Sequence, residues 1–194
     1  MSAAYHTRYG PYTVEDLHAL PDEGKSFELV DGWLIELSPT TRHDFLAAGL
    51  RRIIERAAEE AAAAAYVQAP IDVSTPAGVR RPDVGVMRAD AAATARELGL
   101  SLYHAADLLL AVEVVSRGSG SEREDRVRKV GEYAEAGISQ YWIVDFDPHP
   151  KVQILRLRED GRYGQPVTVL EGDTLQVTEP FPITFDLAVL ADFS

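Results

Sequence analysis

Two acidic residues in the middle of the chain have the types and spacing needed for metal-assisted hydrolysis. Asp83 opens the apolar segment 83–87, and Glu113 interrupts a second apolar segment, 108–115. A carboxylate buried in such a segment costs several kcal/mol unless a cation, a metal or a hydrogen-bond donor meets it. If the two segments are neighbouring strands, both carboxylates converge at one sheet edge. They would then suit Mg²⁺ or Mn²⁺, which activates water for attack on a phosphodiester.

A third residue, Lys129, has two interpretations. As the residue four positions after Asp125 on a predicted helix, it can form a surface ion pair that contributes little to stability. Alternatively, its ammonium lies over the strand ends and orients water or stabilises transition-state charge. Spacing alone favours the surface pair. The two acids also have simpler roles, since Asp83 can cap a turn and Glu113 can pair with an arginine.

Length and composition predict one globular domain over residues 1–194, with 1–12 as a flexible N-terminal segment. The 194 residues are 46% hydrophobic and 26% charged, and none is cysteine. The lack of cysteine excludes disulfides, thiolate zinc sites and cysteine nucleophiles. No apolar signal core opens the chain, and no apolar segment reaches the roughly 20 residues of a membrane span. We therefore expect a cytoplasmic protein.

The charge distribution limits which partners the protein can bind. The formal net charge of −12 argues against a general nucleic-acid coat protein. Residues 80–129, however, carry nine Lys/Arg and eight Asp/Glu, a balance of 9 − 8 = +1, so the rest of the chain sums to −13. The middle region is therefore the one where a polyanion meets no net repulsion.

The order of predicted elements indicates an α/β fold bordering on α+β. It comprises a mixed β-sheet flanked by helices, an N-terminal β-hairpin around Asp31-Gly32, and a C-terminal antiparallel meander. A long helix after residue 41 has the apolar stripe Leu46, Leu50, Ile53, Ala57 and Ala61. A later helix over 122–136 has Val127, Val130 and Ala134 as its predicted core stripe, with Asp125, Lys129 and Tyr133 on a neighbouring face.

The ordered set of motifs resembles the Uma2 family of restriction-endonuclease-like proteins, within the PD-(D/E)xK nuclease superfamily. The middle motifs are Arg-Pro-Asp83-Val, Val-Glu113-Val-Val-Ser, and Asp125-x-x-x-Lys129-x-x-x-Tyr133 followed by Tyr-Trp-Ile-Val-Asp145. The N-terminal motifs are Thr-Val-Glu-Asp16, Phe-Glu28-Leu-Val-Asp-Gly32, and Ser-Pro39 followed by His43. The set covers most of the chain, although Arg117 stands where the family usually has proline.

The resemblance implies a restriction-endonuclease-like core in which Asp83 and Glu113 bind metal. The superfamily's lysine normally stands two residues after the second acid, where this chain has Val115, so Lys129 is the expected replacement. Glu28 matches an acidic position of the family and is expected to be a further ligand or a general base; otherwise it is a solvent-facing strand residue. His43 is a candidate for proton transfer or a polar cap. The expected phosphate or substrate contacts are Arg81, Arg117 and Tyr133.

These expectations converge on a Mg²⁺- or Mn²⁺-dependent endonuclease acting on DNA, assembled as a two-fold homodimer that matches DNA symmetry. A second hypothesis is a catalytically inactive nuclease-fold module for binding or assembly, which the acidic charge and the missing Glu-x-Lys lysine favour. A third, hydrolysis of a phosphoester outside nucleic acid, has no specific support in the sequence.

Overall fold

The computed structural model describes residues 10–116, 118 and 121–192. The helices are α1 (Val14–His18), α2 (Thr41–Glu60), α3 (Ala89–Leu98), α4 (Lys129–Glu135) and α5 (Val189–Asp192). The strands are β1 (Phe27–Val30), β2 (Trp33–Glu36), β3 (Ala65–Gln68), β4 (Val73–Thr75), β5 (Gly78–Arg80), β6 (Val84–Arg88), β7 (Tyr103–His104), β8 (Leu108–Val115), β9 (Gln140–Asp145), β10 (Lys151–Arg156), β11 (Val167–Leu170), β12 (Thr174–Val177) and β13 (Ile183–Asp186). Short 3₁₀ segments span Pro21–Gly24 and Ala105–Asp107, and a π-helical turn spans Glu124–Arg128.

Two larger sheets and one small sheet organise these strands. The six-stranded sheet has the order β11-β10-β9-β8-β6-β3, and β8 and β9 run parallel while the other neighbours are antiparallel. The five-stranded sheet has the order β2-β1-β5-β4-β7, and β12 pairs only with β13 within the described residues. The predicted class, a mixed α/β fold with helices beside a mixed sheet, is therefore confirmed.

The N-terminal elements form where their residues favour them. Thr13 caps α1 and exchanges hydrogen bonds with Asp16, which completes the predicted capping box. β1 and β2 make the predicted hairpin, and Asp31 and Gly32 at its turn have φ values of 49° and 79°. Positive φ at both central residues defines the type I′ turn. This hairpin positions Glu28 toward the interior of the protein.

The central strands β8 and β9 are covered on both faces. Leu110, Val112 and Val114 pack with α2, whereas Ala111 and Val115 pack on the opposite face with α4 and the segment after it. Continuous burial explains why neither strand alternates apolar and polar residues. The residues of α2 that are buried are Leu46, Gly49, Leu50, Ile54 and Ala58, so its stripe departs from the predicted one after Leu50.

Three predicted elements differ from those observed. The predicted strand over 66–74 is divided into β3 and β4, because Pro70 lies between them and has no N–H for a sheet ladder. The predicted helix over 122–136 consists of the π-helical turn and α4. In the predicted C-terminal meander, β10 and β11 extend the six-stranded sheet, but β12 and β13 form a separate pair.

The predicted core stripe of the later helix is partly wrong. Val127 is 64% exposed, and the fully buried side chain is that of Tyr133. Asp125 and Lys129 also lie inside, because each finds an oppositely charged partner there. A hydrophobic pattern predicts that valine is buried and that charged residues are exposed, because it contains no information on ion pairs. It therefore indicated the wrong face of this helix.

No helix in the described part of the chain is both long and apolar enough to cross a membrane. The predicted flexible segment 1–12 lies mostly outside the described residues, as does Arg117.

Candidate active site

Asp83 directly precedes β6, and Glu113 lies on the neighbouring antiparallel strand β8. Val84, the first residue of β6, pairs with Val112 of β8, so each acid lies one residue beyond this pair. Asp83 Oδ2 also accepts a hydrogen bond of 2.7 Å from the backbone N–H of Val114. The Asp83 carboxylate also raises the pKa of Glu113, so the two acids lie close to each other where β6 begins.

His43 contacts the first of these acids from the first turn of α2. The Thr40 side chain accepts a hydrogen bond from the His43 N–H and caps the helix, which places the imidazole near the sheet. Its Nε2 lies 3.1 Å from Asp83 Oδ2, and its Nδ1 lies 3.3 Å from Asp44 Oδ1. Partial burial disfavours the imidazolium, but the hydrogen bond to Asp83 outweighs this and raises the pKa of His43 above its usual value.

Glu113 is the buried acid, and its partners come from α4. Its Oε1 accepts hydrogen bonds from Lys129 Nζ at 2.9 Å and from the Tyr133 hydroxyl at 2.8 Å. These contacts supply the partner that the apolar strand required. Burial nevertheless raises the pKa of Glu113 well above its usual range, and the nearby Asp125 and Asp83 carboxylates raise it further.

Lys129 is enclosed by three carboxylates and only 4% exposed. Its Nζ lies 2.9 Å from Glu113 Oε1, 2.9 Å from Asp125 Oδ1 and 3.1 Å from Glu28 Oε1. Burial alone would lower the pKa of an ammonium, but attraction to Glu113 and Glu28 outweighs it and holds the pKa of Lys129 well above its usual value. The interpretation of Lys129 as an exposed ion pair is therefore wrong, since the pair with Asp125 is buried.

The π-helical turn directly before α4 brings Asp125 and Lys129 to the same buried face. Asp125 lies within the turn and Lys129 follows it, and the Asp125 carbonyl accepts a hydrogen bond from the buried Tyr141 hydroxyl at 2.8 Å. Such turns occur often at functional sites. Here the turn allows Asp125, Lys129 and Tyr133 to share the buried face while Val127 points to solvent.

A second buried cation, Arg80, lies on the other side of Glu28. The Glu28 carboxylate accepts hydrogen bonds from Arg80 Nη1 at 2.8 Å and from the Arg81 backbone N–H at 3.0 Å. Arg80 also binds both oxygens of Glu132 through Nε and approaches it to 2.6 Å through Nη2. Glu28 is thus buried rather than solvent-facing, and although burial would raise its pKa, Lys129 and Arg80 lower it.

The charge balance of this buried cluster is acidic. Its carboxylates are those of Glu28, Glu113, Asp125 and Glu132, and its cations are Lys129 and Arg80. Within the described residues, Asp83 Oδ1 and Glu113 Oε2 accept no hydrogen bond. Two free hard oxygens beside an excess of negative charge fit a divalent cation.

No group of three or more His, Asp or Glu side chains in the described ranges is arranged around a metal position. A metal held here would therefore have Asp83 and Glu113 as its carboxylate ligands and take its remaining ligands from water or substrate. This partial coordination is usual for Mg²⁺.

The three residues expected to contact substrate have different positions. Arg81 Nη1 lies 2.8 Å and 3.1 Å from the two oxygens of Asp72, so its charge is already paired. Tyr133 is completely buried and donates to Glu113, which places it inside the cluster rather than on a substrate-facing surface. Arg117 lies outside the described residues.

Sequence reasoning missed Arg80 and Glu132. Arg80 was hidden because its partners Glu28 and Glu132 are each 52 residues away in sequence. Glu132 carried a detectable signal, since it lies three residues after Lys129 and seven after Asp125 on the same helical face.

The fold and this cluster together define a mixed α/β protein with a buried acid–lysine site at a sheet edge. The profile of the Uma2 family, described as putative restriction endonuclease, matches residues 14–190. The chain therefore belongs to the Uma2 family.

One solved structure supports the fold assignment. It is the crystal structure of a putative nuclease belonging to DUF820 from Anabaena variabilis, which is 15% identical to this chain with a TM-score of 0.70. The alignment covers 94% of this chain and 99% of that protein. No curated protein matches this chain.

Proposed function

We propose that this protein is a Mg²⁺- or Mn²⁺-dependent endonuclease that hydrolyses phosphodiester bonds in DNA. The observation that carries the proposal is the hydrogen bond of 2.7 Å from the Val114 N–H to Asp83 Oδ2, which ties Asp83 to the strand of Glu113, with Lys129 Nζ 2.9 Å from the second acid. Membership of Uma2 and the likeness to a protein described as a putative nuclease support the same class of reaction. DNA is our proposed substrate because the sequence resembles restriction-endonuclease-like proteins.

The free oxygens of Asp83 and Glu113 would hold the metal ion. When bound, a divalent cation supplies an acidified water and neutralises charge that develops on the phosphate. In hydrolysis the water oxygen forms a new bond to phosphorus, the bond from phosphorus to the leaving sugar oxygen breaks, and that oxygen takes up a proton. The protein's task is to hold the acids and cations of the site in place throughout.

Lys129 and His43 have distinct proposed roles beside the two acids. Lys129 replaces the missing Glu-x-Lys lysine, orienting Glu113 and placing positive charge beside the reacting phosphate. His43 holds Asp83 through Nε2 and, with its raised pKa, can carry a proton near neutral pH. Both oxygens of Glu28 are occupied, so we assign it to holding Lys129 rather than to metal binding.

Plasmid nicking tests the proposal. Wild-type protein is incubated with supercoiled DNA and Mg²⁺ or Mn²⁺, beside Asp83→Ala, Glu113→Ala and the surface control Arg88→Gln. We expect nicking by wild type and Arg88→Gln, and loss of nicking in both acid variants. Equal activity in all four preparations, or none in any, would exclude catalysis at this site.

A second candidate function is a nuclease-fold module that binds or assembles without turnover. The observation in its favour is the enclosure of Lys129 by three carboxylates, which leaves its ammonium little access to a substrate. Calorimetry with Mn²⁺ separates the two functions. Binding that disappears in Asp83→Ala supports the nuclease, whereas the absence of any Asp83-dependent binding supports the module.

We also propose that the active form is a two-fold homodimer, because cutting both strands of DNA calls for two sites related by the symmetry of the duplex. Sedimentation equilibrium with and without a DNA duplex tests this. A monomer under both conditions would contradict it.

A further inference from the structure

Arg80 has the geometry of a residue that supports the site without touching it. Its side chain is fully buried, and its guanidinium binds Glu28 on one side and Glu132 on the other. Nη2 also lies 3.4 Å from Glu124 Oε2. A buried guanidinium whose three nitrogens each face a carboxylate is held in one orientation, because its planar fork fixes the direction of each hydrogen bond.

Glu28 links Arg80 to the candidate active site. Its Oε2 faces Arg80, while its Oε1 lies 3.1 Å from Lys129 Nζ. Lys129 in turn divides its hydrogen bonds among Glu28, Asp125 and Glu113. If Arg80 were absent, Glu28 would keep its full negative charge with Lys129 as its sole cationic partner.

We propose that Arg80 is a positioning residue, which holds and neutralises Glu28 so that the Lys129 ammonium stays directed toward Glu113. The proposal rests on the assignment of Glu113 and Lys129 to the active site. Glu132 belongs to the same device, since its two oxygens fix the guanidinium in the plane that faces Glu28. Within the part of the chain that the structure describes, Arg80 makes no hydrogen bond or ion pair with Asp83 or Glu113, so its effect reaches the reaction through Lys129.

The small number of lysines allows the environment of the Lys129 ammonium to be observed directly by NMR. It contains only three lysines, Lys25, Lys129 and Lys151. The Lys25 and Lys151 side chains are 55% and 35% exposed, whereas that of Lys129 is 5% exposed and surrounded by acids. In protein labelled with ¹⁵N-lysine, Lys129 should therefore give the one slowly exchanging ammonium resonance, and Lys129→Met identifies it.

The test compares Arg80→Gln with Arg88→Gln, another arginine that pairs with two carboxylates but at the surface. We expect Arg80→Gln to shift the Lys129 resonance or speed its hydrogen exchange. We also expect it to lower kcat for nicking by about 10–100-fold with little change in KM, as is typical for residues that orient a ligand shell. Arg88→Gln should change neither. An unaltered Lys129 resonance in folded Arg80→Gln would overturn the proposal.

A conservative variant keeps the test valid if Arg80→Gln does not fold. A lysine at this position is a point charge that can meet Glu28 or Glu132 but cannot bind both as the guanidinium does. Arg80→Lys should therefore fold and give a Lys129 resonance and a kcat between those of wild type and a disrupted site. If Arg80→Gln does not fold and Arg80→Lys has the wild-type Lys129 resonance and kcat, the positive charge of Arg80 serves only stability. That result would overturn the positioning role.

The two readouts distinguish this proposal from the proposed function. If wild-type protein never nicks DNA, the nuclease assignment fails, yet the Lys129 resonance still reports whether Arg80 positions it. If nicking depends on Asp83 and Glu113 but Arg80→Gln leaves both kcat and the resonance unchanged, only the positioning role fails.

Discussion

Asp83 accepts a hydrogen bond of 2.7 Å from the backbone N–H of Val114, the residue directly after Glu113. This bond ties the first acid to the strand that carries the second, so their relative position depends on the backbone of β8 as well as on side-chain rotamers. Fixed acids are what a metal site needs, because a carboxylate that must reorganise weakens binding.

The first prediction concerns Asp83→Asn. The amide keeps an oxygen that can accept from Val114 but removes the negative charge. We therefore expect folding to be retained while Mn²⁺-dependent nicking falls by about a hundredfold or more. Circular dichroism and plasmid nicking check the two halves, and full activity in Asp83→Asn would contradict the role of Asp83 as a ligand.

The second prediction concerns Lys129→Met. Removing the ammonium leaves Glu28, Glu113 and Asp125 buried without it, so we expect a loss of about 3–5 kcal/mol in the free energy of unfolding. The loss should be smaller at acidic pH, where protonation neutralises the same carboxylates. Urea unfolding at neutral and acidic pH measures both effects.

The matched control for that variant is Lys25→Met. Lys25 pairs with Glu23 at 3.6 Å, and both side chains are exposed. Exposed pairs contribute about 1 kcal/mol or less, so the control should be nearly neutral. Similar losses in the two variants would show that the burial of Lys129 has no energetic consequence.

The third prediction uses two tyrosines. Tyr133 donates to Glu113 at 2.8 Å, and Tyr163 donates to the Ile138 carbonyl at 2.9 Å. Replacing either with phenylalanine should cost about 1–2 kcal/mol of stability, because each change removes one hydrogen bond to a buried or partly buried acceptor. Only Tyr133→Phe should also weaken Mn²⁺ binding by calorimetry. An equal effect of both variants on Mn²⁺ binding would show that Tyr133 has no specific role in the metal site.

The fourth prediction concerns the pH dependence of stability in metal-free protein kept in chelator. The pKa of His43 is raised in the folded state, because burial, which would lower it, is outweighed by the hydrogen bond to Asp83. A raised pKa means that the folded state binds the proton more tightly. The stabilisation is therefore fully present below the unfolded value of roughly 6.5 and is lost as the pH rises through the folded value.

The measurement for His43 is urea unfolding of wild type and His43→Gln across this pH range. The stability difference attributable to the imidazolium should be greatest on the acidic side and diminish as the pH increases. A difference that is constant with pH would show that the contact with Asp83 does not depend on the charge of His43.

Much of the fold was predictable because its signals are local. The Asp31-Gly32 turn, the capping box at Thr13 and the apolar segment of β8 each depend on a few adjacent residues. The need of Glu113 for a partner was also predictable from the cost of burying its charge. The identity of that partner was harder to predict, because pairing Lys129 with Glu113 depends on how α4 packs against β8.

The parts that sequence reasoning missed depend on contacts between distant segments. Arg80 has no significance until β5 and α4 come together, because its partners Glu28 and Glu132 are each 52 residues away, and the helical spacing of Glu132 does not reveal which cation it binds. The inward face of α4 was misjudged for a related reason. Hydrophobicity favoured Val127, whereas in the folded protein Asp125 and Lys129 satisfy one another and leave Val127 outside.

The contact between Lys129 and Glu28 joins the two larger sheets, since Glu28 belongs to the five-stranded sheet and Glu113 to the six-stranded one. The candidate site consequently depends on residues of both sheets, and the central sheet alone does not contain all of it. A shortened version that kept β6, β8 and α4 but lacked the N-terminal hairpin would retain both candidate metal-binding acids and lose one of the three carboxylates around their lysine. The charge arrangement around Lys129 is thus complete only when the hairpin is docked on the central sheet, and a chain without that contact has both candidate acids but lacks the arrangement that we propose for a nuclease.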